Sequence, residues 1–109
     1  TVNNLGILYK NQGKLAKAEE MYKRALWGYE EAIGYKNIDT YRPALNTIKN
    51  IGVLYTIQGK YSEAEEMLSR ALLGFETLLG PSGDDCQHVR NNIDRMKGKV
   101  LGFVQFHIR

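Results

Sequence analysis

The chain has 109 residues, 43% of them hydrophobic and 25% charged, and carries a formal charge of +3. That length allows one small domain or a piece of a larger one, and that balance speaks against both a disordered and a membrane-embedded class. No apolar run approaches the roughly 20 residues needed to cross a bilayer, and Lys and Arg alternate with Glu instead of forming a block, which argues against a nucleic-acid partner. The start, Thr1-Val2-Asn3-Asn4, has neither the basic nor the apolar part of a signal peptide. It already lies in a helical pattern, so the sequence is expected to be an excised or processed segment. The single cysteine, Cys86, can form no internal disulfide, and the cytoplasm is the expected compartment.

Sliding the sequence by 46 residues lays Thr1 to Gly34 on Thr47 to Gly80, with 18 of the 34 aligned positions identical and no gap, far beyond coincidence. The first unit opens with Val2, Leu5, Leu8 and Tyr9 at steps of three and four, one face of a helix over 1–12. Gln12-Gly13-Lys14 breaks it, glycine being the residue that most easily takes a left-handed cap. A second helix over 15–33 follows through Leu15, Ala18, Tyr22, Ala25, Leu26, Tyr29 and Ile33, and Gly34 ends it in the same way. After a linker the pattern returns as helices over 41–58 and 61–79, separated by Gly59 and closed by Gly80. Gly6 and Gly52, with Ala18, Ala25, Ala64 and Ala71, let neighbouring helices approach, and Tyr9, Tyr22 and Tyr55 fill the space beside them as core residues. A further helix over 84–98 begins a third unit, with Val89, Asn92 and Ile93 at the positions of Thr47, Asn50 and Ile51. This unit is degenerate, because Asp94 replaces the glycine and Lys97 the tyrosine. Residues 99–109 read as helix through Val100, Phe103, Val104 and Ile108, or as a strand over 104–109; helix is favoured, and this end is expected to cover the second hairpin.

Leu5-Gly6 with Tyr9, then Ala18, Tyr22 and Ala25, resembles the small/large signature of the tetratricopeptide repeat, and Ile51-Gly52, Tyr55, Ala64, Leu68 and Ala71 repeat it. Val2 and Ile48 depart from the family's tryptophan, and Glu30 and Glu76 from its helix-ending proline. The long period, with Leu79-Gly80-Pro81 leading into Asp84-Asp85, resembles the variant found in kinesin light chains and in fungal NLR-like proteins, with four extra residues in Tyr35 to Leu45. The resemblance implies an all-α, antiparallel helical-hairpin superhelical array of two full repeats plus a degenerate third. Repeat 1 then covers about 1–34, the linker 35–44, repeat 2 about 45–80, and the third repeat or cap 81–109.

Residues that carry chemistry are scarce. His88 and His107 are the only histidines, and Cys86 with His88 makes two ligands where structural zinc takes four, so neither a metal nor a cofactor is expected. Asp84-Asp85 reads as a helix cap and not as a catalytic carboxylate pair, and no Gly-rich loop precedes a Lys-Ser/Thr pair. Glu19-Glu20 and Glu65-Glu66, each followed by Arg24 or Arg70, read as surface ion pairs. No enzyme is expected.

The expected function is protein binding. The family resemblance implies a concave groove lined by the first helix of each hairpin: Asn3, Asn4, Ile7 and Lys10, then Asn46, Lys49, Asn50, Val53 and Thr56, then His88, Asn91, Asn92 and Arg95. Asn4, Asn50 and Asn92 share one repeat position, and an amide both donates and accepts, so this row suits either an extended peptide backbone or the scaffold itself. Lys10, Lys49 and Arg95 favour an acidic guest. The carboxylate-clamp pattern, Lys followed four residues later by Asn, is not met at Asn3 and Ile7, which argues against a chaperone tail. Self-association through open repeat faces is the alternative, since two repeats bury little core.

Overall fold

The structure, a computed structural model, describes residues 1–108, with side chains described through Gly102. Five α-helices and one 3₁₀ helix are found among them: α1 (Val2–Asn11), α2 (Leu15–Ile33), the 3₁₀ turn (Asn37–Thr40), α3 (Arg42–Ile57), α4 (Tyr61–Leu79) and α5 (Asp84–Ile108). The fold is an all-α array of antiparallel hairpins, and the described residues contain no strand. The strand alternative for the C-terminal segment is thus overturned through Ile108; Arg109 and the side chains of Phe103, Val104, His107 and Ile108 lie outside the described residues.

Each hairpin turns on one glycine. Gly13 sits at φ 78°, its N–H donates to the Lys10 carbonyl at 3.0 Å, and the Lys14 N–H donates back to Tyr9 at 2.8 Å. Gly59 at φ 77° makes the same pair to Thr56 at 3.2 Å and Tyr55 at 2.8 Å. These bonds satisfy carbonyls that a helix end leaves orphaned, at a backbone angle where a side chain is strained. Gly34 and Gly80 close the second helices at φ 91° and 86° with ψ near extended, a region open essentially to glycine alone.

The small residues mark the closest contacts. A Cβ on Gly6 would stand 2.5 Å from the Tyr22 ring, and one on Gly52 would stand 2.7 Å from Leu68. Tyr22 and Leu68 occupy the same repeat position and are fully buried. The core runs through Ala18, Tyr22, Leu45, Ile48, Ile51, Leu54, Ala64, Leu68, Ala71 and Phe75, and α3, flanked by both hairpins' second helices, is its most buried element. Val89, Met96 and Val100 lay α5 against this core. Cys86 is buried there, its thiol donating to the Gly80 carbonyl at 3.4 Å.

Three expectations are corrected. Leu5 and Leu8 do not pack inward: they are 43% and 49% exposed, whereas Ile51 and Leu54 at the same repeat positions are 1% and 0% exposed. The reason is neighbourhood, since α2 covers α3 and no described helix covers the same side of α1. Arg24 and Arg70 do not pair with the glutamates one turn back. Arg70 bonds Asp39 at 2.8 Å, and Glu19 pairs instead with Lys23 at 2.9 Å and Lys60 at 3.7 Å. Those contacts, the Lys23 bond foremost and against the opposing effect of burial, hold the Glu19 carboxyl below its ordinary value. Asp84 and Asp85 lie inside the first turn of α5, not before it, where a carboxylate complements the helix dipole, and Asp85 also pairs with Arg42 at 2.9 Å.

The linker is a structural element. Its 3₁₀ turn wedges between α2, α3 and α4 with Ile38 fully buried, and Pro43, which lacks an N–H, starts α3 where that donor would have no partner.

Candidate functional site

The first helices of the three units, α1, α3 and α5, stand side by side and make one face. Lys10 from α1, Lys49, Asn50 and Val53 from α3, and His88, Asn91, Asn92 and Arg95 from α5 line a single depression of about 340 Å³. Helical spacing explains the grouping: 49, 50 and 53, like 88, 91, 92 and 95, lie at steps of one, three and four on a common helix side. The depression continues into a second one of about 200 Å³ lined by Lys10, Val53, Thr56, Ile57, Asn92, Arg95 and Lys99. Ile57 and Lys99 were not anticipated from the sequence, although each lies four residues beyond a groove position, at Val53 and Arg95.

Of the remaining anticipated residues, Thr56 borders the second depression, and Asn3, Asn4, Ile7 and Asn46 stand elsewhere. Asn3 accepts from the Thr47 hydroxyl at 3.0 Å and from the Asn50 side-chain amide at 3.3 Å, so it ties α1 to α3. Asn4 is exposed, with its backbone N–H received by the Thr1 hydroxyl that caps α1. Ile7 packs half-buried against the core, Asn46 is half-buried beside Leu45, and neither borders the depression. Thr56 is buried, and its hydroxyl donates to the Gly52 carbonyl at 3.0 Å. The asparagine row is therefore divided: Asn50 and Asn92 share the depression, while Asn4 does not.

Asn50 is engaged on one side only. Its NH₂ donates to Asn3, which leaves its carbonyl oxygen, an acceptor, without a hydrogen bond among the described residues. Asn91 accepts from Gln87 at 3.0 Å. The lining holds three cations, Lys10, Lys49 and Arg95, and no carboxylate. Burial pulls the Lys49 ammonium below the ordinary lysine value; Asp85 opposes this and Lys10 reinforces it. Cys86 and His88 diverge, the thiol going to the core and the imidazole to the depression, as two positions two apart on a helix must.

Hairpins repeated with the same Gln-Gly-Lys turn and second helices of 19 residues each, packed side by side to present one row of first helices, define a helical-repeat protein. A family model of the tetratricopeptide repeat matches residues 1–72, and the chain belongs to the tetratricopeptide repeat family. No curated protein matches it. Repeats of this family are non-catalytic modules that mediate protein–protein interaction. Among the described residues no helix is long and apolar enough to cross a membrane, and no group of His, Cys, Asp and Glu could hold a metal ion.

Proposed function

We propose that the α1/α3/α5 face binds an extended, acidic segment of a partner protein, seated on Lys10, Lys49, Asn50, Val53, His88, Asn91, Asn92 and Arg95. The observation that carries this reading is the depression's three cations from three helices without a carboxylate among them. Lys49 is central to it. A lysine whose charge is disfavoured by burial and by a neighbouring lysine gains more from an incoming carboxylate than an exposed one does. Val53 supplies an apolar floor, and the free carbonyl of Asn50 accepts a peptide N–H. Asn3, Asn4, Ile7, Asn46 and Thr56 shape the face from its edges and back.

The same proposal takes the repeats as the long-period kind found in kinesin light chains and fungal NLR-like proteins, working in the cytoplasm. The 46-residue period and the buried free thiol of Cys86 support it. It likewise takes the two hairpins and α5 as one domain.

Fluorescence anisotropy with a labelled Asp/Glu-rich peptide tests the reading. Saturable binding is expected, weakened about tenfold by Asn50→Ala through the unpaired peptide donor it leaves. Lys49→Ala should weaken it at low and at moderate salt alike, because a partly buried charge pair is screened much less than an exposed one. Equal affinity for an acidic and a lysine-rich peptide would sink the proposal. Self-association is the second reading, favoured by the exposure of Leu5 and Leu8, and a dimer in sedimentation that Leu8→Lys dissolves would support it.

A further inference from the structure

We propose, on the reading of the α1/α3/α5 face as a site for an acidic partner segment, that the anion it seats is a phosphate monoester. The segment would carry a phosphorylated serine, threonine or tyrosine, held by Lys10, Lys49 and Arg95. Each of these cations comes from a different helix, and all three border one depression of about 340 Å³. Lys10 and Arg95 also border the adjoining depression, so they stand where the two meet. Lys10 lies close enough to Lys49 for its charge to disfavour the Lys49 ammonium. Among the described residues no carboxylate forms an ion pair with any of the three. Asp85, whose charge favours the Lys49 ammonium, is already paired with Arg42 at 2.9 Å.

Two lysines that repel each other, with an arginine beside them, ask for more than one carboxylate supplies. A carboxylate brings one charge and two oxygens, and it leaves one of the two lysines unbalanced. A run of Asp and Glu carries its charges on separate side chains. In an extended segment those on one side of the backbone are about 7 Å apart, so they spread along the face instead of meeting at one point. A phosphate monoester concentrates a charge of roughly −1.5 to −2 on three strong acceptor oxygens. Those oxygens match the ammoniums of Lys10 and Lys49 and the forked guanidinium of Arg95. Asn91, whose carbonyl accepts from Gln87 at 3.0 Å, keeps its NH₂ to donate, and His88 adds an imidazole N–H. Asn50 presents its carbonyl instead, which suits a backbone N–H of the segment and not the phosphate.

Three labelled peptides of one Gly/Ala sequence are the probes, with a serine, a phosphoserine or a pair of glutamates at the centre. The last two carry nearly the same charge near pH 7.5. Fluorescence anisotropy with the full chain should show the phosphoserine peptide binding about tenfold or more tighter than the paired-glutamate peptide. Equal affinity for those two, both above the serine peptide, means that charge alone is read; it overturns the phosphate and leaves the acidic-segment reading standing. No gain over the serine peptide for either overturns both. Lys10→Gln, Lys49→Gln and Arg95→Gln should each reduce the preference for phosphoserine, and a preference that survives all three overturns the site. Arg95 is exposed, so Arg95→Gln should keep the helical circular dichroism of the parent. Inorganic phosphate should compete only at about a hundredfold or more above the Kd of the phosphoserine peptide, because the free ion lacks the contacts of the segment with Val53 and Asn50. Phosphate as potent as the peptide would assign the site to the free ion, and a single-stranded oligonucleotide binding as tightly would assign it to nucleic acid; either overturns the proposal.

Discussion

Tyr22 carries a hydroxyl into the contact between α1 and α2, where it is fully buried and meets no hydrogen-bond partner. Burial alone pushes its phenol up to about 12. The folded chain therefore holds this proton more tightly than the unfolded chain, whose tyrosine titrates near 10. Stability from this group is complete below about pH 10 and is lost as pH climbs toward about 12, because only the unfolded state ionises in that window. Tyr22→Phe removes both the unpaired hydroxyl and the titration. It should leave stability near neutrality unchanged or higher by up to ~1 kcal/mol, and flatten the alkaline loss; urea unfolding at about pH 8 and about pH 11 would show both. A steeper alkaline loss in the variant would mean that another group carries it. The site residues teach a related lesson. Periodicity places Asn50 and Asn92 on one face, but whether an amide bonds a guest or a neighbour depends on what stands across from it, and Asn3 across from Asn50 takes one of its two functions.

Among the elements, α2 and α4 are copies in sequence that differ in surroundings, and two glycines at one repeat position expose the difference. Gly28 lies open, so Gly28→Ala should stabilise the chain by ~0.5–1 kcal/mol through helix propensity alone. Gly74→Ala should destabilise it, because the new methyl meets the Asp39 carbonyl and Leu45. Thermal melts of the two variants should move in opposite directions, and parallel shifts would contradict the packing described. Gly52→Leu belongs to the same scale: its side chain would overfill the contact with Leu68, including the Leu68 backbone nitrogen 3.3 Å from the Cβ position, at a cost of ~1–3 kcal/mol. The linker shows what periodicity misses. A four-residue 3₁₀ turn is too short to show a period, and one buried isoleucine in a polar stretch is no pattern, so Ile38 as core and Asp39 as the partner of Arg70 could not be read ahead of the contacts.

At the scale of the whole molecule, the same repeat position differs between α1 and α3 according to what covers it. Leu8 and Leu54 are the same residue at the same repeat position, 49% and 0% exposed. Leu54→Ala should cost ~2–5 kcal/mol, as buried leucines do, and Leu8→Ala less than ~1 kcal/mol. Chemical denaturation of both reads this directly; equal losses would mean that the outer side of α1 is covered in solution.

What the sequence alone determined is whatever a helix and its caps require locally. The spacing of Leu15, Ala18 and Tyr22, the glycines at 13, 34, 59 and 80, and the 46-residue identity specify the hairpins, their ends and the family, because φ preference and helical period act within a few residues. The face shared by α1, α3 and α5 was legible in outline for the same reason: residues on one helix side stay together however the helices pack. Tertiary structure alone decided which apolar positions are core, which arginine finds a carboxylate, and where the depression begins and ends. Leu5 against Ile51, Arg24 against Arg70 and Gly28 against Gly74 are matched pairs whose members meet different fates, because burial and pairing depend on the neighbour across the gap, and only packing brings that neighbour there.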